Sequence, residues 1–184
     1  MSLFILGVLF VFAKFNLQFL ETGVLYYVTN SLGYILIYVG LRSMGSGIDS
    51  IRRIQSVVLF MILHSIGFSV LNGSGHSITT ISLSTGIETV IALSLTTLAV
   101  AGMIMIFYII HQLILAVRNN TEDFTSYSNI TMLEKFPSLL VVLLIITAVL
   151  FFTLPSVAPI SMILLLVAEA FFILNFSTKV QQAV

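Results

Sequence analysis

Apolar residues in this chain run on for whole helical lengths and are interrupted only by short polar stretches. A helix needs about 20 mostly apolar residues to cross the roughly 30 Å hydrocarbon core of a bilayer. Six stretches fit: 2–15, short but strongly apolar, then 24–41, 54–71, 86–117, 137–154 and 158–176. The fourth is longer than one crossing requires, which predicts that it tilts or projects into water. Between the fifth and sixth, Pro155 and Pro159 bracket Ser156, Val157 and Ala158, a spacing that predicts the tight turn of a helical hairpin. The pattern predicts an all-α polytopic membrane protein, a single bundle of six transmembrane helices in one domain.

Composition supports this reading. Hydrophobic residues make up 59% of the 184 positions and charged residues 8%, against roughly 25% charged in soluble domains. So few charges cannot coat a water-facing surface, and the lipid bilayer is the expected surrounding. Seven basic residues balance seven acidic ones, so no basic excess points to nucleic acid. The absence of cysteine excludes disulfides, thiol catalysis and Cys-ligated metal. In the six-span topology Arg42, Arg52, Arg53, Arg118, Lys135 and Lys179 share one side with both termini, and Lys14 alone lies opposite. The positive-inside bias makes that shared side cytoplasmic. Two alternatives stand beside this topology. Residues 2–15 can be read as a cleaved signal peptide ending at Val11-Phe12-Ala13, although no basic residue precedes them. Residues 78–117 can be read as two crossings, which would export Arg118 and scramble the charge pattern.

The longest expected cytoplasmic loop, 118–136, holds Asn119-Asn120-Thr121-Glu122-Asp123 and ends in Thr131-Met132-Leu133-Glu134, a capping-box spacing ahead of the fifth span. Ser46-Gly47-Ile48-Asp49 has the same spacing before the third. Asn72-Gly73-Ser74 is a formal glycosylation sequon on the outer side. No internal repeat supports an inverted-repeat transporter.

The second span contains Asn30-Ser31-Leu32-Gly33-Tyr34-Ile35-Leu36-Ile37-Tyr38-Val39-Gly40-Leu41-Arg42-Ser43-Met44. This stretch resembles the N-terminal signature of uncharacterised small multispanning membrane proteins of low-GC Gram-positive bacteria. There, a short apolar start and a polar linker precede Pro-Asp-x-x-Gly-Tyr, a hydrophobic run and Gly-Leu-Lys/Arg. Gly33, Tyr34, Gly40, Leu41 and Arg42 match, and Thr29 and Asn30 stand at the Pro and Asp positions. The resemblance covers the first quarter of the chain; it implies a bacterial plasma-membrane protein and no activity. Independently of it, Gly33 and Gly40 lie seven residues apart on nearly one helix face, where small residues permit close packing of a neighbouring helix. Tyr26 and Tyr27 are expected at the outer interface. Ser31-Leu32-Gly33-Tyr34 lies inside a continuous apolar helix and lacks a following glycine, which excludes a potassium-filter loop.

Ionisable groups deep in a membrane segment are the most informative residues. Glu169 lies midway along the sixth span, and its neighbours one turn away are Leu165, Leu166, Phe172 and Ile173. A charge at a helix centre costs about 2.5–3.5 kcal/mol on insertion scales. Glu169 must therefore be neutral, paired across helices or facing a wet cavity. His64, midway along the third span and one turn from Gly67, is the partner candidate by depth. Glu169 and His64 form the candidate intramembrane polar site, with His111, Tyr108, Gln112 and Asn30 as secondary candidates. Ser94, Thr97, Ala101, Met105, Tyr108 and Gln112 share a face of the fourth span, which reads first as a packing seam. Glu88 begins that span at the outer interface, and His76 falls in an outer loop.

No catalytic constellation is present. His64, His76 and His111 lack metalloprotease spacing, Gly-x-Ser-x-Gly is absent, and there is no phosphate-cradling loop. No metal, cofactor or enzymatic activity is expected. The leading expectation is a non-enzymatic accessory subunit or homo-oligomer acting through helix–helix contacts. The alternative is a small-molecule-binding transporter component with its polar site around Glu169 and His64.

Overall fold

The computed structural model describes residues 2–13, 24–44, 49–75, 86–119, 131 and 133–181. Six helices occupy them: α1 (Ser2–Phe12), α2 (Val24–Ser43), α3 (Asp49–Gly73), α4 (Gly86–Asn119), α5 (Lys135–Thr153) and α6 (Ala158–Gln181). No strand occurs among these residues. Five of the six, α2 to α6, are long and apolar enough to cross a membrane. The exception is α1: its 11 residues rise about 16 Å, roughly half the hydrocarbon thickness. The rest of the expected first span lies outside the described residues.

Consecutive helices pack antiparallel. Phe4 of α1 meets Gly40 of α2, and Val11 meets Gly33. Tyr27 of α2 stacks on Phe68 of α3, ring centroids 5.2 Å apart. Phe136 of α5 approaches Phe172 of α6 at 6.1 Å, and the α5–α6 turn falls at 154–157. Phe4 also contacts Phe176 near the α6 C-terminus, at 5.8 Å. This connectivity gathers Arg42, Arg52, Arg53, Arg118, Lys135 and Lys179 at one end of the bundle; Lys14 lies outside the described residues.

The α1–α2 seam is the tightest contact in the bundle. A Cβ on Gly40 would lie 2.6 Å from the backbone nitrogen of Phe4, and one on Gly33 would lie 2.8 Å from the carbonyl oxygen of Gly7. Close backbone approach replaces the hydrophobic drive that helix association lacks in lipid. The outer surface is largely apolar, with Leu63, Val70, Ile87, Ile160 and Leu174 all more than 60% exposed. Such a surface suits contact with acyl chains.

The structure places several of the singled-out residues. Tyr26 and Tyr27, near the start of α2, face neighbouring helices; they are 8% and 3% exposed, because the inner face of α2 is enclosed on both sides by α1 and α3. Gly67 faces open space, so it admits no neighbouring helix. Glu134 stands at the N-cap of α5 without a side-chain cap and pairs with Arg118 at the α4 C-terminus. Of the α4 stripe, Ser94, Thr97, Ala101 and Tyr108 point outward, whereas Met105 and Gln112 are half-buried and Met105 packs on the core. Residues 46–48 and His76 lie outside the described residues.

The two glycine environments predict opposite outcomes. Gly40→Ala forces a methyl into the Phe4 backbone and is expected to destabilise by about 1–3 kcal/mol, the usual cost of overpacking. Gly67→Ala, on an open helix face, is expected to be neutral or stabilising by up to about 1 kcal/mol. Thermal unfolding of both variants in one detergent checks the contrast.

Candidate functional site

The polar interior is built from α2. Tyr26, Asn30 and Tyr34 recur every four residues, so they share one helix face, and that face is turned into the bundle by the glycine seam on the adjoining one. Tyr34 is 1% exposed and Asn30 7%. The Asn30 side-chain amide is within hydrogen-bonding reach of the Tyr26 hydroxyl, and Tyr26 in turn feels the Glu169 carboxyl electrostatically. The Asn30 carbonyl oxygen Oδ1 is buried and has no hydrogen-bond partner. The neighbouring Thr29 hydroxyl is satisfied by the carbonyl of Tyr26 at 2.8 Å.

Glu169 enters this site from the middle of α6 and is 2% exposed. It lines a cavity together with Tyr26, Asn30 and Tyr34, and the remaining wall is apolar, formed by residues such as Phe12, Ile106 and Leu144. The space open to the centre of a water molecule is about 20 Å³. One water needs about 10–15 Å³ on that measure, so the cavity suits a water or a bare ion and not an organic molecule.

His64 lines a second, adjoining cavity of about 10 Å³ that shares Tyr26, Asn30, Tyr34, Gly102 and Met103 with the first. His64 and Glu169 thus line two adjoining cavities along one polar face of α2, one residue in each. The His64 Nε2 lies 3.2 Å from the carbonyl oxygen of Leu98. A carbonyl only accepts, so Nε2 carries the hydrogen and the neutral ring keeps its lone pair on Nδ1. The ring lies against Gly102, where a Cβ would come within 2.5 Å of Cε1, and against Phe68 at 4.7 Å between centroids. Gly102, not Gly67, is therefore the residue that makes room for the imidazole.

Among the secondary candidates, Asn30 belongs to the site. Tyr108 is 46% exposed on the outer side of α4, and neither His111 nor Gln112 lines either cavity. His111 Nδ1 is buried without a hydrogen-bond partner near the basic end of the bundle. The sequence reading missed Tyr26, Tyr34 and Gly102 as site residues. The four-residue spacing of Tyr26, Asn30 and Tyr34 was the available signal. Among the described residues no three His, Asp or Glu side chains converge as a metal site.

Placing a methyl at Gly102 tests the histidine geometry. Gly102→Ala is expected to push the ring off Leu98 at a cost of about 1–3 kcal/mol. Nitrogen NMR of the imidazole should report the Nε2–H tautomer in the parent protein and its loss or exchange in the variant. No known family model, no curated protein and no solved structure matches the chain.

Proposed function

We propose that this protein takes up and releases a proton at Glu169 inside its helical bundle, as the ion-handling component of a membrane transport system. The observation that carries the reading is the placement of an enclosed carboxyl, midway along an apolar helix, on a water-sized cavity whose other polar groups are two tyrosines and an asparagine. Intramembrane acids of this kind mark proton and ion pathways. Burying an ionised carboxyl costs several kcal/mol unless it is paired and hydrogen-bonded, so the charge on Glu169 is tied to what its surroundings supply. Tyr26 and Tyr34 line the same cavity, and a hydroxyl that donates to a carboxylate lowers the cost of its charge. The cavity is too small for an organic substrate, which turns the small-molecule reading toward a proton or ion.

The cluster of six basic residues at one end supports a cytoplasmic assignment for that end and for the start of α1. A bacterial plasma membrane is the proposed location, on the resemblance of residues 30–44. A second reading, an accessory subunit or homo-oligomer, draws on the outward polar face of α4. The hydroxyls of Ser94 and Thr97 there bond carbonyls of their own helix, so they require no partner, and the proton reading takes precedence.

Infrared difference spectroscopy of the protein in lipid nanodiscs tests the proposal. Raising the pH is expected to remove one buried carboxyl C=O band, and Glu169→Gln is expected to abolish that band while the bundle stays folded. A difference spectrum unchanged by Glu169→Gln would overturn the assignment.

A further inference from the structure

We infer that water and protons reach Glu169 from one side of the membrane, the side opposite the basic cluster, along the Tyr26–Asn30–Tyr34 face of α2, where Asn30 holds a water. The inference rests on the proton reading of Glu169 for what the path carries, and adds its direction. Three observations support it. The first is the course of the polar face. Tyr26 stands two residues from the start of α2, whereas Arg42 lies in its last turn, at the basic end. Eight residues of helix set Tyr26 and Tyr34 about 12 Å apart along the axis. The three side chains therefore step from the end opposite the basic residues toward the middle of the bundle. Glu169, midway along α6, meets the cavity that all three line.

The second observation is the pair of adjoining cavities. About 20 Å³ and 10 Å³ are open to the centre of a water molecule, and about 10–15 Å³ holds one. Tyr26, Asn30 and Tyr34 line both, so the two spaces follow one face of α2. The Asn30 Oδ1 is buried and accepts no hydrogen bond, a state that an ordered water resolves. A buried water takes two to four polar partners. Besides Asn30, the walls offer the hydroxyls of Tyr26 and Tyr34 to both cavities, the Glu169 carboxyl to the first, and the Ser65 hydroxyl and His64 imidazole to the second. Tyr27 also lines the second cavity.

The third observation is the dry half of the bundle. On the basic side of Tyr34 the same stripe of α2 continues with Ile37 and Leu41, each 0% exposed. They belong to one apolar cluster with Phe4, Val58, Ile110 and Leu113. A charge entering such packing loses its hydration without gaining a partner, and apolar constrictions close membrane pathways in this way. Release of the proton therefore runs in one direction. The carboxyl O–H bond breaks as a cavity water takes the proton and hands one of its own to the next water. One proton leaves toward the Tyr26 end and the carboxylate remains. Asn30 fixes the water and itself neither gains nor loses a proton.

The chain contains no cysteine, so single introduced thiols report contact with water through their reaction with silver ion, the parent protein serving as the blank. In nanodiscs, Tyr26→Cys and Asn30→Cys are expected to react at least tenfold faster than Ile37→Cys and Leu41→Cys, while Arg42→Cys at the basic end reacts freely. Ile37→Cys or Leu41→Cys reacting as fast as Asn30→Cys would overturn the one-sided path, and an inert Asn30→Cys would overturn the water. Asn30→Leu is expected to slow the loss of the Glu169 infrared band after a pH jump at least tenfold, with its amplitude and the helical circular dichroism unchanged. A rate equal to the parent's would remove Asn30 from the path. The expected thiol profile without any pH-sensitive Glu169 band would instead count against the proton reading and leave the water path standing.

Discussion

The approach of α1 to α2 over Gly7, Gly33 and Gly40 is the contact on which the interior depends. In lipid, apolar side chains gain little by leaving their surroundings, so helices associate where their backbones come close and their polar groups are satisfied. The seam brings the Phe4 backbone against Gly40 and the Gly7 carbonyl against Gly33. With α3 packed on the other flank, half of the α2 span is buried, against 22–28% for the other four. Only a helix so enclosed can hold Tyr26, Asn30 and Tyr34 away from both lipid and water. The described part of α1 serves the same end by bringing Val11 and Phe12 to the cavity wall.

Polarity is distributed unevenly as a consequence. Most hydroxyls along the helices bond the carbonyl three or four residues back, as Ser31, Thr96, Thr147 and Thr178 do, and ask nothing of their neighbours. The exceptions gather on the α2 face and around it: the Asn30 amide, the two tyrosine hydroxyls, Glu169 and the His64 imidazole. A group of this kind costs free energy unless it is matched across helices. Their concentration at one place, with apolar walls on every other side, is what distinguishes a site from a chance polar residue. The ion pair of Arg118 with Glu134 is different in kind. It lies at the basic end, is partly exposed, and contributes at most about 1 kcal/mol to stability.

His64 and Glu169 show what depth alone leaves undecided. Both lie midway along their helices, and each lines its own one of two adjoining cavities. Helical length fixes the height of a side chain in a membrane, whereas its azimuth depends on which neighbours the helix chooses. Gly67 and Gly102 illustrate the same point: either glycine is small enough to admit the imidazole ring, and only packing decides that Gly102 does so.

Residue pattern by itself determined the helical class and the positions of the five long spans, because an 18- to 20-residue apolar run has one low-energy conformation in lipid, with every backbone bond closed locally. It also determined that Glu169 needs an accommodation, since the cost of a charge at a helix centre does not depend on the fold. The seven-residue spacing of Gly33 and Gly40 announced a packing face, though not which helix would fill it. Tertiary structure alone decided that α1 is the filler, that Tyr26 points inward, that Asn30 is central while Tyr108 faces out, and that His64 answers to Leu98 and Gly102. These are all questions of helix rotation and partner choice. They are settled by interhelical backbone approach between residues far apart in sequence, which no local periodicity encodes.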